Sequence, residues 1–177
     1  MGSDASKTQP TRRSLLALLA GLGSAAIGLA LALPGAAYVV DPLLRGGTRK
    51  GRWLKVASLS GLGEDHPTAY PVVGEQVDSW MRTPNVRLGV VWLRKKGDRV
   101  QALSAECPHL GCKVGYDRER KRFACPCHES AFSQDGERLE GPSPRALDPL
   151  ETRVVDDHVE VRFVRYRAQV KERVEVG

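Results

Sequence analysis

The sequence predicts an all-β globular domain carried behind one apolar N-terminal helix. Three observations predict it. A 26-residue stretch from Leu15 to Val40 carries no charge, short β-branched and aromatic runs succeed one another from Trp53 onward, and no long 3.6-residue periodicity follows them. The 177 residues suffice for one domain of ordinary size with an appendage, and 41% hydrophobic residues can bury a core.

Residues 1–10 are polar and small, with no apolar periodicity. Arg12 and Arg13 then precede the apolar stretch. At about 1.5 Å per residue that stretch extends roughly 39 Å as a helix, more than the ~30 Å hydrocarbon core of a bilayer. Its many Gly and Ala residues suit a membrane helix, and Pro34 is expected to kink the helix or mark its exit. A cleaved signal peptide is the alternative, since Leu33-Pro34-Gly35-Ala36-Ala37 resembles a cleavage site. The run is longer than the usual apolar region of about 7–15 residues, which favours an uncleaved transmembrane helix over 15–40. The paired arginines of segment 1–14 look like a twin-arginine export signal, which places the head on the periplasmic or outer side of a bacterial cytoplasmic membrane. Charge counting alone favours the opposite orientation. Arg45, Arg49, Lys50, Arg52 and Lys55 outnumber Lys7, Arg12 and Arg13 across the span.

Residues 41–52 are rich in Gly, Pro and charge and read as a flexible hinge. The head, 53–177, offers strand-like runs at 53–59, 70–73, 86–94, 99–104, 113–116, 122–124, 147–155 and 158–164. Turn signals separate them at Lys96-Gly97-Asp98, at 117–121, at Asp135-Gly136 and at Asp156-Asp157. Many short strands with tight turns predict a β-barrel or sandwich. Glu75–Met81 is expected to form one helical turn, and 165–177 an edge strand or an arm laid on a partner. His66 and His158 fall in apparent loops, and Trp53, Trp80 and Trp92 are read as core. The net charge of +6 and pI near 9.4 raise nucleic acid as a partner. The basic residues are spread along the chain without aromatic interleaving, so they read as solvated faces.

Chemistry concentrates in one stretch, about 105–145. All four cysteines lie there, in Cys107-Pro108-His109-Leu110-Gly111-Cys112 and Cys125-Pro126-Cys127-His128-Glu129-Ser130, with fifteen residues between His109 and Cys125. Two Cys and two His can hold a structural zinc ion. That reading leaves Cys112 and Cys127, the two prolines and Gly111 unexplained, whereas an iron–sulfur centre uses them all.

The two boxes resemble the cluster-binding boxes of Rieske iron–sulfur proteins of cytochrome bc complexes, whose members also have an N-terminal membrane helix, a hinge and a β-rich head. The resemblance implies a [2Fe–2S] cluster with Cys107 and Cys125 on one iron and His109 and His128 on the other. It implies a disulfide between Cys112 and Cys127, and in Gly141-Pro142-Ser143-Pro144 a proline-rich loop covering the cluster. Two histidines in place of two cysteines raise such a centre to about −150 to +300 mV. Ser130 stands where the family's serine donates to a bridging sulfide. Phe132 replaces the tyrosine of high-potential members, and Glu129 the usual glycine, so a low-potential centre suited to menaquinol is expected. Either His109 or His128 is expected to accept a hydrogen bond and a proton from quinol while the cluster takes one electron. A hinged head then passes the electron to a c-type cytochrome, with cytochrome b supplying most of the quinol pocket. On this reading the chain is one electron-transfer subunit of a quinol–cytochrome c oxidoreductase, with no complete active site of its own. The small Rieske subunit of an exported molybdenum oxidoreductase, of arsenite-oxidase type, is the alternative, and the span and hinge weigh against it. Rieske ferredoxins and oxygenases generally lack the second cysteine of each box, so Cys112 and Cys127 weigh against those.

Overall fold

The structure is a computed structural model that describes residues 11–44, 51–78 and 81–176. The chain divides into two compact units, Met1–Gly47 and Thr48–Gly177.

In the first unit, α1 spans Arg12–Leu44. Thr11 precedes it, and its Oγ1 accepts from the Ser14 backbone N–H at 3.4 Å, which occupies one of the donors left free at a helix start. An 18-residue window within Arg12–Asp41 has a mean hydropathy of 2.2, and the helix leucines from Leu15 to Leu33, with Ile27, Val39 and Val40, are exposed. An exposed helix that is apolar all round is suited to a lipid environment. Pro34 does not end it. The helix runs on to Leu44, so Asp41–Leu44 of the expected hinge are helical, and 45–50 lie outside the described residues, as do residues 1–10 and Trp80.

Among the described residues of the second unit, the regular elements are β-strands apart from one 3-10 turn at Leu59–Gly61. Its base is built from two sheets. One orders β1 (Arg52–Ser58), β11 (His158–Phe163) and β10 (Thr152–Val155); the other orders β2 (Thr68–Asp78), β3 (Met81–Lys96), β4 (Arg99–Ser104) and β9 (Pro149–Leu150). Inward residues of both, among them Val72, Val91, Leu93, Val159 and Val161, form one core. Alternation along the strands puts these apolar side chains on a single face, and their burial is the main force holding the sheets together. Turn chemistry fixes the registers. Lys96 pairs with Arg99 around Gly97-Asp98, and Gly97 has a φ of 61°. Val155 pairs with His158 around Asp156-Asp157, with φ of 48° and 61°. A two-residue hairpin of the second kind needs positive φ at both central positions, which aspartate tolerates better than most residues. His158 is accordingly the first residue of β11 and not a loop residue.

The expected helical turn at Glu75–Met81 is absent. Glu75–Asp78 and Met81 belong to β2 and β3, with Gln76 opposite Thr83 and Asp78 opposite Met81. An isolated turn of helix fixes several residues for very few hydrogen bonds, and pairing with β3 offers more instead.

A third sheet, β5 (Gly115–Asp117), β6 (Arg122–Ala124), β7 (Ala131–Ser133) and β8 (Arg138–Glu140), forms a smaller subdomain between β4 and β9 in the chain. Its own core holds Leu103, Val114, Phe123, Phe132 and Leu147, with Trp92 of β3 packed against Phe123 at 5.4 Å between ring centroids. The Trp92 indole N–H donates to the Val114 carbonyl at 3.3 Å. A charged network completes the attachment. Buried Arg94 of β3 donates to Asp135, in the turn between β7 and β8, and to Gln101 Oε1 at 3.0 Å. Lys96 donates to Asp135 at 2.8 Å.

The Lys96 ammonium and the Arg94 guanidinium hold the Asp135 carboxyl below the usual carboxylate range, against a smaller opposing effect of burial. A depressed folded-state pKa contributes stability that is full above the unfolded value of about 3.9 and disappears as pH falls through the folded value. Asp135→Asn is therefore expected to lower the urea midpoint at neutral pH, with the difference from the parent vanishing in acid. A deficit that persists unchanged in acid counts against this role.

Candidate metal centre

Two loops at one end of the small sheet carry the boxes. The first leaves β4 and returns through the Glu106–Lys113 bridge to β5. Within it the Cys107 N–H donates to the Cys112 carbonyl, and the Gly111 N–H to the Cys107 carbonyl, both at 2.8 Å. The second joins β6 to β7 and is closed by the Cys125 N–H donating to the Ser130 carbonyl at 2.8 Å. These bonds satisfy backbone groups that would otherwise be stranded beside an apolar core, and they fix where each box's side chains point. Glu129 has a φ of 58°. That left-handed backbone explains why glycine is usual at this position in the resemblance, and shows that this chain accepts a side chain there.

The loops sort their cysteines. Cys112 and Cys127 form a disulfide, with their Cα atoms 6.5 Å apart and a sequence separation of 15. Cys107 and Cys125 are free and almost fully buried, at 1% and 4% exposure. Burial pushes the Cys107 thiol up. The His109 backbone N–H and the Ser130 hydroxyl act in the opposite direction, while the neighbouring Cys125 adds to the rise. Two adjacent buried thiols without a cation strongly disfavour the thiolate form, and a bound metal reverses that preference. The sulfurs of Cys112, Cys125 and Cys127 lie within 4.8 Å of one another, but the first and third are bonded together, so only Cys125 of that group can ligate.

His109 and His128 face each other across the two loops, ring centroids 4.8 Å apart and planes at 88°. His109 Nδ1 is buried and has no hydrogen-bond partner. Buried polar atoms are rarely left without a partner, and a lone-pair nitrogen in that position fits a metal ligand. The imidazole of His128 is exposed. Two thiols, two imidazoles and an orphaned ring nitrogen on one pair of loops thus form a donor set suited to a metal group. The same set leaves a lone zinc ion and an iron–sulfur cluster both open.

The loop 141–144 seals one side. The Ser143 N–H donates to Ser130 Oγ at 3.1 Å, and Ser130 is fully buried. Gly141, with φ of 88°, sits so close that a Cβ there would lie 2.4 Å from Ser130 Cα. Phe132 is fully buried and stands opposite Phe123 in the ladder. Two groups at this site were not legible beforehand. Arg145 and Asp148 form a buried pair directly after the proline loop, with Arg145 Nε donating to Oδ1 at 2.8 Å and Nη2 to Oδ2 at 2.7 Å. Their only signal in the sequence is opposite charge three positions apart. The tail is not a free arm: β12 (Arg165–Tyr166) pairs with β13 (Glu175–Val176), and the Gln169 N–H between them donates to the Pro108 carbonyl at 2.9 Å.

Comparison with known proteins decides between the open chemistries. Residues 52–155 match the Rieske [2Fe-2S] domain. The menaquinol:cytochrome c reductase iron-sulfur subunit of Bacillus subtilis is 33% identical over 149 residues, covering 82% of this chain and 86% of that one. The cytochrome b6-f complex iron-sulfur subunit of Gloeobacter violaceus is 32% identical over 163 residues, covering 89% and 85%. A solved structure titled hyperthermophilic respiratory Complex III is 20% identical with a TM-score of 0.42, covering 78% of this chain and 98% of that one. With that match the paired loops are those of an iron–sulfur protein, anchored to the membrane by α1. The chain belongs to the Rieske [2Fe–2S] family, and its cofactor is a Rieske-type [2Fe–2S] cluster.

Two outcomes follow from this geometry. Gly141→Ala is expected to push the proline loop off Ser130, with overpacking costing about 1–3 kcal/mol. Faster amide exchange at Ser143 and a lower urea midpoint would register it, and unaltered exchange would contradict it. Replacing Cys112 and Cys127 together by Ala removes a closed loop of 15 positions and is expected to cost about 3 kcal/mol of stability. The double variant should match the parent after both are reduced, if the loss is that of the bond alone.

Proposed function

We propose that this chain is the membrane-anchored Rieske subunit of a quinol–cytochrome c reductase of the bc type, taking one electron from quinol and passing it to a c-type cytochrome. The observation that carries the reading is the Cys112–Cys127 disulfide beside two free buried thiols. In the family resemblance that clamp separates the bc type from oxygenase ferredoxins, and a disulfide suits the oxidising side of a membrane. The Bacillus subtilis relative, named as a menaquinol:cytochrome c reductase subunit, supports menaquinol as the donor.

Cys107 and Cys125 would hold one iron through their sulfurs, and His109 and His128 the other through ring nitrogens. When bound, the cluster supplies a one-electron acceptor. The chain's own residues do the rest. Burial of both thiols and the cover of Ser143 exclude water from the sulfur side. Ser130, its hydroxyl beside the Cys107 sulfur, is positioned to donate toward the reduced, more negative centre. His128 is exposed where His109 is only half exposed, so His128 presents the ring edge that accepts a hydrogen bond from a quinol hydroxyl. With the cluster bound as electron acceptor, that nitrogen would take up the quinol's proton.

Arg12-Arg13 serve as a twin-arginine signal and α1 stays attached, leaving the head, 53–177, on the outer side of the cytoplasmic membrane. A hinge between α1 and β1 would let that head move between quinol site and cytochrome. Cytochrome b and a c-type cytochrome are the partners.

Membranes solubilised in mild detergent are expected to yield b-type haem with the tagged chain, and the reduced protein the electron paramagnetic resonance spectrum of a His-ligated [2Fe–2S] cluster. Recovery of the chain with a molybdenum subunit and no cytochrome b would overturn the assignment. Fully buried Phe132 cannot donate to a cluster sulfur. Phe132→Tyr is expected to raise the midpoint potential, and an unchanged or lower midpoint counts against that explanation of a low potential.

A further inference from the structure

The C-terminal segment lies beyond residues 52–155, which match the family, yet it reaches the cluster loops from behind. Its path is fixed by few contacts. The Arg167 N–H donates to the Val174 carbonyl at 2.9 Å, closing a small hairpin loop. At Gln169 the backbone turns left-handed, φ 65°, where its N–H meets the Pro108 carbonyl. Pro108 lies between Cys107 and His109, so this bond grips the first loop between two ligands.

Arg145 ties the segment to the opposite side of the site. Beyond its two bonds to Asp148, its Nη1 donates to the Val170 carbonyl at 2.5 Å, and Arg173 Nε reaches Asp148 Oδ1 at 3.3 Å. The Arg145 and Asp148 side chains are both 6% exposed. A buried ion pair is a poor source of stability compared with apolar packing, so its retention points to geometry. Arg145 follows directly on the proline loop, whose Ser143 hydroxyl donates to the Arg145 carbonyl at 2.8 Å and whose Ser143 N–H holds Ser130. Between the first loop and the segment lies a cavity of about 170 Å³, lined by Glu106, Cys107, Leu110, Asp148, Tyr166 and Ala168 among others. The segment is its outer wall.

We infer that Arg145 is a positioning residue of the cluster site, the joint of a clasp that closes the proline loop over the second cluster loop and the C-terminal segment under the first. The inference rests on the ligand assignment given above. One residue sets both covers: its guanidinium holds the segment at Val170, and its backbone carbonyl, kept in place by the bonds to Asp148, anchors the proline loop through Ser143. Without it, water gains the cavity behind Cys107, and Ser130 loses the N–H that orients it. Lysine cannot replace this group, because a point charge cannot bond Asp148 bidentately and reach Val170 as well.

The test uses the full chain purified in detergent, with Arg145→Gln, Arg145→Lys, a truncation after Arg167, and the truncation combined with Arg145→Gln. Gln169→Gly, which keeps the N–H and accepts the left-handed backbone, is the control. Both Arg145 variants and the truncation are expected to lose the cluster to chelator about tenfold faster, the usual scale for groups that support metal ligands. Each moves the midpoint potential in the same direction. The combined variant goes no further than the larger single change, as groups acting in one unit do, and Gln169→Gly matches the parent. Amide exchange at Ser143 rises on truncating the segment, which reads the clasp independently of the cluster. Additive shifts, or lower thermal stability with an unmoved potential and unchanged Ser143 exchange, overturn the inference. A parent protein without the His-ligated spectrum overturns the ligand assignment instead, and the Ser143 exchange then decides the clasp alone.

Discussion

Two buried thiols share one pair of loops with an exposed histidine, and the head is organised around that contrast. Charge on buried sulfur is strongly disfavoured until a cation joins it. The groups around Cys107 and Cys125 are therefore backbone N–H and hydroxyl donors on an apolar floor of Phe123, Phe132 and Leu147. His128, by contrast, projects from the outer end of its loop. Both demands are met by hairpin loops closed by their own backbone bonds. Such a loop buries one side chain at its root and exposes another at its tip.

The small sheet alone buries little apolar surface, and its attachment to the base supplies what it lacks. Trp92 and Arg94 lie two positions apart on β3 and both reach into the small subdomain, one through its ring and indole N–H, the other through Asp135. Strand residues two apart point to the same face, so one strand serves two cores at once. The attachment is partly polar, which lets it specify orientation as well as adhesion.

Much of this was legible beforehand for identifiable reasons. The apolar stretch, the turn signals at Gly97-Asp98 and Asp156-Asp157, and the metal-ligating types in the two boxes are local chemistry, and local chemistry is written in adjacent residues. The extended β2–β3 hairpin was missed at Glu75–Met81 because its partner lies across a turn, where pairing outweighs weak helical preference. The clasp was missed because its members touch through backbone carbonyls. Nothing about Pro108 or Val170 as residue types announces that their oxygens will be bound by Gln169 and Arg145. The closeness of Gly141 to Ser130 is hidden for the same reason, since it is a relation between two loops and not a property of either.

Four cysteines allow three ways of forming two pairs, or six of forming one bond, and only one single bond leaves a usable site. The fold itself can sort them. Cys127 is exposed and Cys112 partly so, whereas Cys107 and Cys125 are almost sealed. An oxidant reaching the folded head meets the disulfide pair first, and the buried pair, proposed above to hold the metal, is shielded by the same packing that keeps it dry. Maturation on this scaffold thus carries its own error check: a head that folds before it oxidises makes the right bond by accessibility alone. A head oxidised while unfolded has no such guide.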